Sequence, residues 1–284
     1  MSKKTNLSEL SIEDIKEAYR KLKHAIYYDS TYSFVRSQIA LFEKDNSDIA
    51  SEEPEVFKKL LNIINEDNIE NSDLKDLFSK ISCWRLPKKI ENDTIGFDDD
   101  NILTNTPINC DEIKVTRDFK MINAPIELHL ISVLWIMKGG YNLEKVMKVE
   151  PYGNKLELSA DADGIVEGLR LFKPYHKRYK EWRNKAFEKA LQIIKEDKEN
   201  ALIISLDVKE YYPSVILNFD DITKVFTDKN LPIFKPFEML CKILNGIHEQ
   251  YYYHLYKKDF INTTPNNIVQ GLPIGLHGCS SHLM

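Results

Sequence analysis

The strongest constraint on this chain is the apolar run Ala201-Leu202-Ile203-Ile204-Ser205-Leu206, which ends abruptly at Asp207. A near-continuous run of this kind predicts a strand covered on both faces. A carboxylate at the lip of a buried strand is poorly solvated and needs a cation or a set of donors. Magnesium bound through oxygen ligands meets that need. An aspartate that opens a turn, or caps a helix after Pro213, meets it as well.

Upstream, the pattern is helical. Ile12, Ile15, Ala18, Tyr19, Leu22, Ala25 and Ile26 form one apolar stripe over Leu10 to Tyr28, and Ser11 with Asp14 resembles a capping box. Further helices are expected over Thr31 to Phe42 and Pro54 to Ile64. Pro87 to Thr106, which holds Asp98, Asp99 and Asp100, reads as a loop. Pro125 to Lys138 reads as a strongly apolar helix stopped by Gly139-Gly140, and Tyr152 to Leu156 as a turn entering a short strand. No apolar run approaches the ~18 residues of a membrane span, and Met1 to Asn6 does not lead into an apolar signal region. A cytoplasmic protein without membrane contact is therefore expected. Cys83, Cys110, Cys241 and Cys279 are too scattered for a zinc or redox motif and read as reduced, mostly buried thiols.

The net charge of -5 over 284 residues hides an asymmetry. Glu43 to Asp76 holds eleven acids against four lysines, a local balance of -7, and the rest of the chain is therefore +2. The acidic face reads as solvated surface, with docking of a basic partner as the alternative. Leu169 to Lys185 holds Arg170, Lys173, Lys177, Arg178, Lys180, Arg183 and Lys185 against Glu181 alone, a balance of +6. Forked guanidinium donors match phosphate oxygens, and clustered cations concentrate polyanions. The interleaved Tyr175, Tyr179 and Trp182 recur with Ala186, Ala190 and Ile194 at helical spacing, which predicts that these rings face a core. Downstream, Asn266 to Gly275 is a loop with two glycines and a proline. Such small residues allow close backbone approach.

Leu206-Asp207-Val208-Lys209-Glu210-Tyr211-Tyr212-Pro213-Ser214-Val215 resembles the first catalytic palm motif of prokaryotic reverse transcriptases, and Gln270-Gly271-Leu272-Pro273-Ile274-Gly275-Leu276 resembles their next palm motif. Arg170 to Arg183, Ala18 to Lys23, Tyr27-Tyr28-Asp29 and Tyr152 to Leu156 are similar to the abortive-infection and defence-associated branch. The resemblance implies an α+β fold: an α-helical N-terminal region over 1–85, a fingers-like region over 86–196 and a partial right-hand palm over 197–284. It implies RNA-directed DNA polymerase activity by two-metal phosphoryl transfer, in defence against phage. Asp207 and the Val208 carbonyl would hold magnesium. Tyr212 would sit under the incoming sugar and exclude a 2′-hydroxyl, while Gln270 and Gly271 would line the nucleotide pocket. Arg170 or Lys173 would hold the triphosphate, and Lys177, Arg178, Lys180, Arg183, Pro273 and Gly275 would contact nucleic acid.

The implied partners are an RNA template, the DNA product, deoxynucleoside triphosphates and a partner protein or second copy. The family pattern continues with a Tyr/Phe-x-Asp-Asp hairpin and a thumb, neither of which follows Gln270 within these 284 residues, so the chain by itself is expected to be inactive. Asp220-Asp221, read as part of a helix start, and Asp98 to Asp100 are poor substitutes for that hairpin. The competing expectations are a non-catalytic or template-independent nucleic-acid-binding palm module, and an interaction protein that recruits partners through its acidic helices.

Overall fold

The expected capping box closes at the start of α1 (Ile12–Tyr28). The Ser11 amide donates to Asp14 Oδ2 at 2.9 Å, and the Asp14 amide donates to Ser11 Oγ at 3.3 Å. Two amides left open by the first helical turn are thereby satisfied. Asp14 also pairs with Lys138 at 2.6 Å, which ties this helix end to a distant turn. The computed structural model describes residues 10–28, 33–91, 114–146, 155–158, 168–197, 200–206, 215, 217–233, 235–256, 272–273 and 275–276.

The expected stripe of α1 buries Ile15, Ala18, Leu22 and Ile26. It packs against α2 (Ser33–Asp45), α3 (Glu55–Asn65) and α5 (Ile126–Trp135). Between them, α4 (Ser72–Ser79) is capped by Asn71, whose side chain accepts from the amides of Asp73 and Leu74. Every residue of α5 except Glu127 is buried, as a helix apolar on all sides requires. Burial pushes the Glu127 carboxyl above its ordinary range, against the pull of nearby Lys80.

The glycine pair after α5 does not stop the chain as its sequence predicts. Ile136–Gly140 widens into a π turn and runs on into α6 (Tyr141–Val146). Gly139 serves packing here: a Cβ on it would lie 2.4 Å from Cε2 of the buried Phe237 ring. The absence of a side chain is what allows that ring to close on the turn.

The expected loop from Pro87 begins later: β1 (Ser82–Ile90) takes in its first four residues and pairs antiparallel with β2 (Val115–Asn123), while 92–106 lie outside the described residues. Cys83 lies opposite Ile122 and Trp84 opposite Met121, and the register slips beyond Pro87. A proline cannot donate to the ladder, and an irregularity beside it is the physical consequence. The run Asp98 to Asp100 lies outside the described residues.

Near the C-terminal side, α8 (Phe219–Asp228) and α9 (Phe237–Tyr256) pack on each other, and α9 also meets α5, α3, α4 and β1. Tyr251 anchors α9 to the ribbon by donating from its hydroxyl to the Lys120 carbonyl at 2.7 Å. The described residues are thus mixed α+β. One core draws side chains from all three expected segments, among them Leu22, Leu130 and Leu244, and the boundary at 85/86 falls within β1. Among the described residues, no helix is long and apolar enough to cross a membrane.

Candidate nucleic-acid interface

The basic segment begins on an anchored stem. Leu156 and Phe172 form an antiparallel bridge, flanked by the Glu157 amide donating to the Leu171 carbonyl at 3.1 Å and the Lys173 amide donating to the Lys155 carbonyl at 2.8 Å. The expected short strand is therefore present at Leu156 as a single bridge. Lys155 in turn pairs with Glu144 of α6 at 3.0 Å, with both side chains largely buried.

A second anchor comes from α1. Lys21 is buried, and its ammonium donates to the carbonyls of Gly168 and, at 3.4 Å, Arg170, while pairing with Glu17 at 3.2 Å. A buried ammonium is costly unless its donors are matched, and here a carboxylate and main-chain oxygens match them. Sequence reasoning missed Lys21. The available signal was its position, three residues past Ala18 and four before Ala25, at the edge of the apolar stripe. The exposed Arg170 places its guanidinium 5.8 Å from the centre of the Tyr28 ring, so it is held against α1 by a cation–π contact. Lys173 is exposed one residue before Pro174.

From Pro174 the chain enters α7 (Tyr175–Gln192), which continues through a second π turn, Ile193–Asp197. Lys177, Lys180 and Arg183 are exposed, and Arg178 pairs with Glu181 one turn along the helix. The prediction that the aromatic stripe faces a core is not met. Tyr179 and Trp182 are each 45% exposed, and Phe187, Leu191 and Ile194 about as much. Helical spacing gathers Tyr179, Trp182, Ala186 and Ala190 on one charge-free face of α7, as its sequence predicts. A face suited to burial does not supply the surface that covers it, and this one stays largely open. Tyr179 and Trp182 instead pack on each other with centroids 5.6 Å apart and planes tilted by 44°.

Residues 200–206 differ most from expectation. They show no regular secondary structure, and Leu202 and Leu206 are 83% and 89% exposed, where a strand covered on both faces was predicted. An apolar run records a preference for burial without supplying the surface that buries it. No sheet among the described residues pairs with this run. Asp207, Val208, Tyr212, Gln270 and Gly271 lie outside the described residues.

The end of the second motif is described and is well seated. Leu272, Pro273 and Leu276 are buried. Gly275 takes a φ of 95°, where a Cβ would lie 3.1 Å from Met121 Cε on β2. Both the backbone conformation and the space favour glycine at this turn. Gly275 is thus held beside β2, whereas the contacts of Arg170 lead to α1.

Asp220 and Asp221 are engaged as helix-start residues. The Asp220 amide donates to Asn218 Oδ1 at 2.8 Å, its carboxylate accepts from Asn245 at 3.3 Å, and Asp221 pairs with Lys224 at 2.9 Å. Among the described residues, no group of three or more His, Cys, Asp or Glu is placed to hold a metal ion. The expected magnesium donors remain Asp207 and the Val208 carbonyl, outside the described residues.

Burial pushes the thiols of Cys83 and Cys241 up to about 11, so both are protonated at neutral pH and behave as small core residues. His248 of α9 is fully buried, edge-on to Phe219, and neither ring nitrogen has a hydrogen-bond partner among the described residues. Desolvation lowers it to about 3, so its ring is neutral at physiological pH. Sequence periodicity carried no sign of this histidine. No protein-family model, curated protein or solved structure matches the chain.

Proposed function

We propose that this chain carries the fingers and part of the palm of a reverse-transcriptase-type polymerase that adds deoxynucleotides by phosphoryl transfer, with a role in defence against phage. The resemblance of the Asp207 and Gln270 motifs to palm motifs supports the reaction class. The observation that carries the nucleic-acid half is α7. It presents Lys177, Lys180 and Arg183 to solvent from an anchored stem, a short distance in sequence before Asp207.

In this reading the cations of α7 hold phosphates by charge, and Arg170 or Lys173 on the stem holds the triphosphate. Asp207 and the Val208 carbonyl would hold magnesium, which when bound would supply charge neutralisation at the phosphate. Tyr212 packs under the sugar and selects against a 2′-hydroxyl, and Gln270 with Gly271 lines the pocket. Most of the rate would come from positioning and fixed charge.

The test is primer extension on an RNA template by the full-length protein with Asp207→Ala. Deoxynucleotide incorporation should fall at least about a hundredfold, since even outer-shell changes at metal sites cost tenfold to a hundredfold. Wild-type synthesis by the variant would remove Asp207 from the chemistry. Exposure of Tyr179 and Trp182 favours a second reading, a non-catalytic or template-independent nucleic-acid-binding palm module working with a partner. Salt-sensitive RNA binding without templated synthesis in the same protein would select it.

A further inference from the structure

We infer that Tyr179 and Trp182 form a stacking platform that makes α7 select single-stranded over duplex nucleic acid, a reading that rests on the nucleic-acid role proposed for this helix. The two rings sit in contact, 5.6 Å apart, and each is 45% exposed on a helix none of whose described residues is buried. Of the other indoles, Trp135 is fully buried, and Trp84, which packs against Phe34 at 5.9 Å, is 41% exposed, so what sets Trp182 apart is the basic helix that carries it.

Charge identifies the occupant. Leu169 to Lys185 carries seven cations and one acid, which suits a polyanion and disfavours a basic or apolar protein surface. Helical spacing then sets cations beside the rings. Arg183 lies one turn from Tyr179 and Lys185 one turn from Trp182, on opposite sides of the ring pair. A strand whose bases meet the rings would therefore have its phosphates within reach of cations on both flanks.

Geometry limits how the bases engage. Sandwiching a base between two rings needs about twice the ~3.4 Å stacking repeat of nucleic acid, more than the 5.6 Å between these centroids. With the ring planes tilted by 44°, the pair does not continue as one stack, and a base would add to the open face of Trp182, with Tyr179 bracing that ring. Every base offers a π face, so this contact is tolerant of sequence. In a long duplex those faces are already stacked on neighbours, and the platform gains nothing there beyond charge attraction.

The experiment titrates the purified chain with a single-stranded oligouridine and with a long RNA duplex across a salt series. Trp182→Ala should weaken oligouridine binding about tenfold and leave duplex binding and the salt slope unchanged. Trp182→Phe, which keeps a π face, should restore most of the loss. Lys180→Ala with Arg183→Ala should weaken both ligands and flatten the oligouridine salt slope by about 1.4, at ~0.7 per cation removed. The platform is refuted, with the nucleic-acid role intact, if Trp182→Ala affects both ligands equally or neither while the charge variant weakens both. It is refuted too if acrylamide quenches Trp182 in the free Trp84→Phe chain no better than buried Trp135, because the ring would then be covered by protein. If the wild-type chain binds neither ligand, the nucleic-acid reading of α7 fails and the platform fails with it.

Discussion

Two helices of this molecule share the same local features and end in opposite environments. Both α5 and α7 follow a proline with extended backbone, Pro125 at φ -53° and Pro174 at φ -56°, and both run into a π turn. Yet α5 is sealed inside the core and α7 lies on the surface. The difference is in what occupies the remaining faces. α5 carries Glu127 as its one acidic or basic side chain apart from His129, whereas α7 has eight Lys, Arg and Glu residues among eighteen. A helix with one carboxylate can be enclosed on all sides, whereas one charged over most of its circumference can bury a single face at most, and the charge-free face of α7 is left open.

The sharpest way to break this comparison is to truncate a ring of the enclosed helix. Trp135 is fully buried, stacks near Phe237 and meets Phe219 edge-on, so Trp135→Ala should cost about 3–5 kcal/mol in urea unfolding. A loss below ~1 kcal/mol would show that the α5 core is far looser than its packing implies.

A smaller effect should follow acidification. His248 titrates near 6.5 when unfolded and at about 3 when folded, so below pH 6.5 the unfolded chain binds the extra proton. Its contribution to stability is complete above pH 6.5. It should decline by about 1.4 kcal/mol per pH unit as pH falls toward 3. Comparing urea midpoints at neutral and mildly acidic pH reads this slope, and His248→Leu should remove it. An unchanged slope in that variant would assign the acid sensitivity to other groups.

The smallest effect is expected on α7. Leu191→Ser changes a residue already about half exposed and should move stability by less than ~0.5 kcal/mol. A loss of 2 kcal/mol or more would mean that this face is packed in solution, and the contrast between the two helices would disappear.

Local chemistry was legible where its partners are near in sequence. The Ser11 and Asp14 box, the α1 stripe and the apolar α5 were all readable, because three or four residues of spacing contain the whole interaction. Gly139 was misread as a stop because the ring that needs its missing Cβ, Phe237, lies nearly a hundred residues on. Leu202 to Leu206 and the α7 rings were misread for a related reason, since apolar character predicts a need for cover and not its source. Of the proposed site, the cations of α7 were legible from composition. The stem that fixes them was not, because its clamp depends on one lysine whose partners lie far along the chain.

That clamp has a kinetic consequence. The bond from Lys21 to the Arg170 carbonyl closes a loop of 149 residues, while the Ser11–Asp14 contact spans three. Closing the longer loop costs on the order of 3 kcal/mol more chain entropy before any contact offsets it. Such non-local contacts form late, after local helices and the shorter closures among them. The basic helix would therefore gain its fixed bearing on α1 late, and during folding its cations would be free to meet any polyanion before the clamp is set.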